Sequence, residues 1–140
     1  MAQELLVLDT HIWVWLLNGD AQRLSEEGLA AIEQASQFGQ LGVSAISVWE
    51  VGMLEAKGRI RFAQLCIDWV REALSVPGLR LLPLTPEIAI ESSHLPGQIQ
   101  GDPADRILAA TTRILDATLV TQDRQLLDYG AQSYISVIQG

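Results

Sequence analysis

Leu5-Leu6-Val7-Leu8-Asp9-Thr10-His11 sets the pattern of this 140-residue chain: four apolar residues in a row, an acid, then the start of a helical pattern. The apolar run is short and β-compatible, so it reads as a buried strand. Residues 11–17 continue as a short helix that ends near Asn18-Gly19. A strand feeding directly into a helix is half of a βαβ unit, the building block of parallel sheets.

The same alternation runs to the end. Ser25 suits the N-cap of a helix to about Ser36, with Gly39 past its end. Residues 41–43 read as a strand, and Ser44 or Ser47 caps a helix that carries Trp49 to Ala56 and stops at Gly58. A helix is expected over 62–74, ended by Pro77-Gly78, and a strand over 79–82. Thr85-Pro86-Glu87 supplies a cap, an N1 proline and an N-terminal acid for the next helix; Asp102-Pro103 opens another, to about Leu115. A strand over 117–120, a short helix over 123–128 and a last strand over 134–138 complete an α/β pattern with a mostly parallel sheet.

No linker, repeat or low-complexity stretch breaks this pattern, and 49% of the residues are hydrophobic, so one domain over residues 1–140 is expected. Cys66 is the lone cysteine; no internal disulfide can form, and a reducing, cytoplasmic setting is expected. Its apolar helical surroundings suit a buried structural thiol. No signal-peptide pattern opens the chain, and its early apolar runs fall short of the ~20 residues of a membrane span. A net charge of −8 disfavours coating DNA through the whole surface. It leaves open a cleft of carboxylates, where a bound cation reverses the local field.

Four acids stand out by position. Asp9 ends the first strand, and Asp123 follows the strand at 117–120 after Thr121 and Gln122. Open parallel sheets bind ligands beyond the carboxyl ends of their strands, so both acids aim at one edge. Each is equally explained as a helix N-cap. Glu50 shares a helical stripe with Ile46, Met53 and Leu54, beside Trp49, where a charge is costly unless paired or metal-bound. The competing reading puts its head in water at the rim. Asp102 precedes Pro103 and suits an N-cap; Asp105, three residues on, either completes a capping box or serves a site. Clustered carboxylates suit hard cations such as Mg²⁺ or Mn²⁺, which activate water and offset phosphodiester charge. His11 and His94 show no zinc spacing.

Five stretches, in order along nearly the whole chain, resemble the PIN domain, specifically the ribonuclease toxins of VapBC-type toxin–antitoxin pairs. They are Leu6-Val7-Leu8-Asp9-Thr10-His11, Ser44-Ala45-Ile46-Ser47-Val48-Trp49-Glu50-Val51, Leu82-Pro83-Leu84-Thr85-Pro86-Glu87, Asp102-Pro103-Ala104-Asp105-Arg106-Ile107-Leu108-Ala109-Ala110 and Val120-Thr121-Gln122-Asp123. The resemblance implies a three-layer α/β/α sandwich and a metal-dependent endoribonuclease, with Mg²⁺ or Mn²⁺ as cofactor. It implies that Asp9, Glu50, Asp105 and Asp123 are at once the catalytic residues and the metal ligands, with Thr10, Thr121 and Asp102 beside them. RNA as substrate, a cognate antitoxin that blocks the acidic cleft, and a second copy of the chain are the implied partners. Ala104 departs from the family, which often has an aromatic residue there, and Leu54 stands where some relatives are basic.

Lys57, Arg59 and Arg61 follow the Glu50 helix, and Arg106 adjoins Asp105. They could guide an RNA backbone; Lys57 and Arg59 read equally as a solvated helix end, and Arg106 as a partner that orients a carboxylate. Trp13 and Trp15, two apart, point to different sides of a helix, so one of them faces a groove or partner. A receiver-type phosphoryl-transfer domain fits poorly, since its paired acids after the first strand and late lysine are missing. A non-catalytic PIN-like binding module would be expected to have lost one of the four acids.

Overall fold

The structure, a computed structural model, describes residues 4–140. Its strands are β1 (Leu6–Leu8), β2 (Leu41–Ser44), β3 (Leu79–Leu82), β4 (Thr118–Thr121) and β5 (Ser136–Gln139). They form one sheet in the order β3-β2-β1-β4-β5, every pairing parallel. Both neighbours of β1 arrive by crossover, and β2 and β4 lie on opposite sides of it. That makes the carboxyl end of β1 the topological switch point, where a crevice opens.

Seven helices cover the sheet: α1 (Thr10–Leu17), α2 (Glu26–Gln37), α3 (Ala45–Ala56), α4 (Cys66–Leu74), α5 (Pro86–Ser93), α6 (Pro103–Ile114) and α7 (Arg124–Ala131). The strand alternation explains the layers. Leu6 and Leu8 turn to one face and join Ile12, Trp13, Ile32, Val51 and Val70 of α1 to α4. Val7 and Leu119 turn to the other and join Leu108, Leu126 and Tyr129 of α6 and α7. With helices on both faces, the central strands have no solvent face, and every residue of β1, β2 and β4 is buried. Truncating a residue such as Leu8 or Leu119 would cost about 2–5 kcal/mol.

Turn chemistry sets the connections. Gly78 (φ +86°) brings the α4–β3 turn onto α2, and a Cβ there would lie 2.1 Å from the Ser36 carbonyl oxygen. Among the described residues no helix is long and apolar enough to cross a membrane.

Several expected bounds shift. The helix expected over 62–74 starts only at Cys66, because Phe62 leaves the helical path to stack on Trp69, ring centroids 4.4 Å apart. Ser44, not Ser47, caps α3 by accepting from the Ile46 N–H. The last helix runs three residues past 128, and β5 starts two residues after 134, since Tyr134 stacks on Tyr129 instead. Cys66 is half-buried at the first turn of α4, short of the full burial expected, and burial still raises its thiol pKa.

Candidate active site

Four separate segments deliver the acids to the edge at the switch point. Asp9 follows β1 and is buried, 6% exposed. Both its oxygens are held: Oδ1 accepts from the Thr10 N–H at 2.7 Å, and Oδ2 from the Thr121 hydroxyl at 2.7 Å. Thr121, fully buried at the end of β4, also accepts from the Asp123 N–H at 3.0 Å. One hydroxyl therefore ties the ends of β1 and β4 together and sets the spacing of Asp9 and Asp123.

Glu50 comes from the second turn of α3. The Thr10 hydroxyl donates to Glu50 Oε1 at 2.5 Å and sits 2.8 Å from Ser47 Oγ. Ser47 lies three residues before Glu50, on the same helix face. The face of α3 that packs inward is Ser47 and Val51, whereas Ile46, Met53 and Leu54 are half-buried and Trp49 is 58% exposed. The apolar-stripe argument for Glu50 is thus corrected. Glu50 is half-buried because it faces the cleft and Thr10, and not because it is embedded in a closed core.

Asp102 and Asp123 are helix caps. Asp102 accepts from the Asp105 N–H at 2.9 Å, and Asp123 from the Gln125 and Leu126 N–H groups at 2.9 and 3.1 Å. Among the described residues no reciprocal bond completes a capping box at Asp105. Its carboxylate points instead toward the other acids, and Gly101 makes room for it: a Cβ at Gly101 would lie 2.7 Å from Asp105 Cβ and 3.0 Å from Oδ2.

The electrostatics follow from this crowding. Burial raises the pKa of Asp9, against the two hydrogen bonds that lower it. Burial raises Glu50 too, against the Thr10 hydroxyl, and the charge of Asp9 adds to the rise. Asp105 is pushed up to about 7 by burial and then by the charges of Asp102, Asp123, Asp9 and Glu50. Arginines do not relieve the crowding: among the described residues the ion pair is Arg113–Glu91, at 2.8 Å. Carboxylates that repel one another and, among the described residues, form no ion pair constitute an unmet demand for positive charge.

That donor set is all oxygen, which suits a hard divalent cation. Among the described residues no three acid, histidine or cysteine side chains stand close enough to make a ready-made cage. A cation that keeps several waters and takes one or two carboxylates plus a substrate phosphate, as Mg²⁺ usually does, needs no such cage.

Arg106 does not serve as an orienting partner for a carboxylate. Its Nε and Nη1 donate to the carbonyls of Ser92 and Ile99, both at 3.0 Å, so it braces the loop ahead of α6. Lys57 is the exposed C-cap of α3, seven residues past Glu50. Arg59, by contrast, lines a cavity that shares Thr10 with the acidic cleft. Sequence reading missed Ser47 as a support, although its spacing from Glu50 signals it. It also missed Arg23, whose place beside the cleft has no local signal.

A family model described as PIN domain matches residues 6–132. The chain is 36% identical over 121 residues to Ribonuclease VapC22 of Mycobacterium tuberculosis, a stretch that covers 86% of this chain and 88% of that protein. Its fold is similar to that of a chain in the VapBC2 complex from Rickettsia felis bound to a promoter DNA fragment, at TM-score 0.68 and 16% identity over 96% and 97% of the two chains. A chain of DNA-bound VapBC from Salmonella typhimurium gives TM-score 0.70 at 14% identity over 99% and 98%.

Proposed function

The chain belongs to the PIN-domain family, and on that premise we propose that it is a VapC-type ribonuclease, the toxin of a VapBC toxin–antitoxin pair, with Asp9, Glu50, Asp105 and Asp123 as its working acids. The observation that carries the reading is the convergence of these four acids, from four segments, at the switch-point edge, with no ion pair to them among the described residues. The sequence kinship to a protein named as a ribonuclease supplies the reaction class, cleavage of RNA phosphodiester bonds.

Mg²⁺ or Mn²⁺ is the proposed cofactor, with Asp9, Asp105, Asp123 and Glu50 as its direct or water-bridged ligands. When bound, such an ion offsets phosphodiester charge and makes a water nucleophilic at neutral pH. The chain's own residues have distinct tasks. Asp9, clamped at both oxygens, is the fixed point of the set. Thr10 orients Glu50, and Thr121 spaces Asp9 from Asp123. Asp105, its pKa pushed up to about 7 by burial and by its neighbours' charges, would ionise more readily beside a bound cation.

The proposed partners are RNA, a cognate antitoxin that covers the acidic cleft, and a second copy of this chain, in the reducing cytoplasm. The antitoxin has support from the solved complexes with the same fold, which are titled as VapBC or toxin–antitoxin assemblies.

Single-turnover cleavage of RNA by purified protein tests the reading, with Mg²⁺, with Mn²⁺ and with EDTA, alongside Asp9→Asn and Asp105→Asn. Metal-dependent cleavage lost in both variants is expected. Equal cleavage in EDTA, or in both variants, would overturn it.

A further inference from the structure

Beside the acids lies a second feature of opposite character. A cavity of about 300 Å³ is walled by Thr10, His11, Val14, Trp15, Arg23, Leu54, Arg59 and Ile60. Two of the chain's nine basic residues meet there, in a protein of net charge −8. Arg106 and Arg113, by contrast, are spent on carbonyls and on Glu91. The aromatic wall is organised: His11 and Trp15 lie with ring centroids 5.8 Å apart, and Arg23 sets its guanidinium over the Trp15 ring, 5.4 Å from the centroid.

Two observations join this cavity to the cleft. Thr10, one wall of the cavity, donates to Glu50 and follows Asp9 in the chain. Arg23 is anchored from the other side, because Gln122 Nε2 donates to its carbonyl at 2.7 Å and to that of Gly140 at 2.8 Å, and Gln122 sits between Thr121 and Asp123. The same segment that presents Asp123 therefore holds Arg23 in place.

We propose that this cavity binds the ribonucleotide next to the cleaved bond, its phosphate on Arg23 and Arg59 and its base on the His11–Trp15 face. The inference rests on the ribonuclease reading and adds a positioning subsite to it. The physical case is one of need. A single strand must come within a few ångströms of four carboxylates, and repulsion opposes its approach until a cation is in place. Two guanidiniums offset that repulsion one nucleotide away, and an aromatic face takes any base by stacking, which suits single-stranded RNA. An acidic peptide segment could also meet the arginines, but a base has the π-face to stack on one of the His11 and Trp15 rings, which are tilted 51° to each other.

The test is steady-state cleavage of a fluorescent decaribonucleotide pool of random sequence in Mg²⁺ by the wild type, Arg59→Ala, Trp15→Leu and Arg80→Ala. Arg80, on the edge strand β3 and bonded to Gln40, serves as the charge-matched control. Arg59→Ala and Trp15→Leu are expected to raise KM about tenfold with kcat held within about twofold, the mark of lost binding outside the reacting bond. Arg59→Ala should also lower the slope of log KM against log salt by about 0.7, one single-strand phosphate contact. Arg59 is exposed, so its variant keeps the test valid if Trp15→Leu misfolds. A wild-type KM in Arg59→Ala, or an equal rise in Arg80→Ala, would overturn the subsite while leaving the ribonuclease reading intact. So would unchanged RNA kinetics with weakened antitoxin binding, which would assign the cavity to a peptide. No cleavage by the wild type would overturn both.

Discussion

Replacing Asp105 by Asn probes the crowded cleft without RNA, metal or partner. In the fold its pKa is pushed from 3.8 up to about 7, by burial and by four neighbouring acids. The native state therefore holds more protons than the unfolded chain between about pH 4 and 7, and stability falls as pH rises through that window. The full shift corresponds to about 4 kcal/mol. Asp105 is only half-buried, so solvent screening reduces this to about 1–2 kcal/mol. Asn keeps the shape and removes the charge. The variant should melt about 3–7 °C above the wild type at pH 8 in EDTA, and the gap should close only below about pH 4, where Asp105 is protonated in the unfolded chain as well as in the fold. Differential scanning calorimetry across that range reads both quantities. Adding Mn²⁺ at pH 8 should raise the wild-type Tm and narrow the gap, since the ion neutralises what Asn removes. A variant that melts lower than wild type at pH 8, or a gap of equal size below pH 4, would refute the account of mutual repulsion.

Three further outcomes are expected. Thr121→Val removes the hydroxyl that donates to buried Asp9, so unfolding in urea should show a loss of about 1–3 kcal/mol with an unchanged m-value, and single-turnover cleavage should fall at least tenfold. Gly101→Ala puts a Cβ 2.7 Å from that of Asp105, so cleavage should drop about tenfold or more while far-UV circular dichroism stays that of the wild type; full activity would show that Asp105 does not depend on this contact. Arg113→Ala breaks the partly exposed pair with Glu91 and a bond to the Tyr134 carbonyl, in the last turn of α6, at the opposite end of the helix from Asp105. It should lower stability by about 1 kcal/mol and leave cleavage per folded molecule at the wild-type rate.

Local signals in the chain were strong wherever one residue type has one job. The run at residues 5–8, the caps Ser25, Thr85 and Asp102, and the N1 prolines at 86 and 103 determined strands and helix starts, because capping and burial on both faces act within a few residues. The parallel order and the aim of Asp9 and Asp123 at one edge also followed, from the alternation of strand and helix. Spacing could not say whether an acid that caps a helix also faces a cleft. Asp123 caps α7 and lies near enough to Asp105 to raise its pKa, and Asp105 packs its carboxylate against Gly101. Nor could it show that Glu50 owes its setting to Thr10, 40 residues away, or that Arg23 stands beside the acids, held by Gln122 from 99 residues away. Those relations depend on which chain ends the sheet brings together. Hydrogen bonds and Coulomb forces act over a few ångströms of space and take no account of separation along the chain.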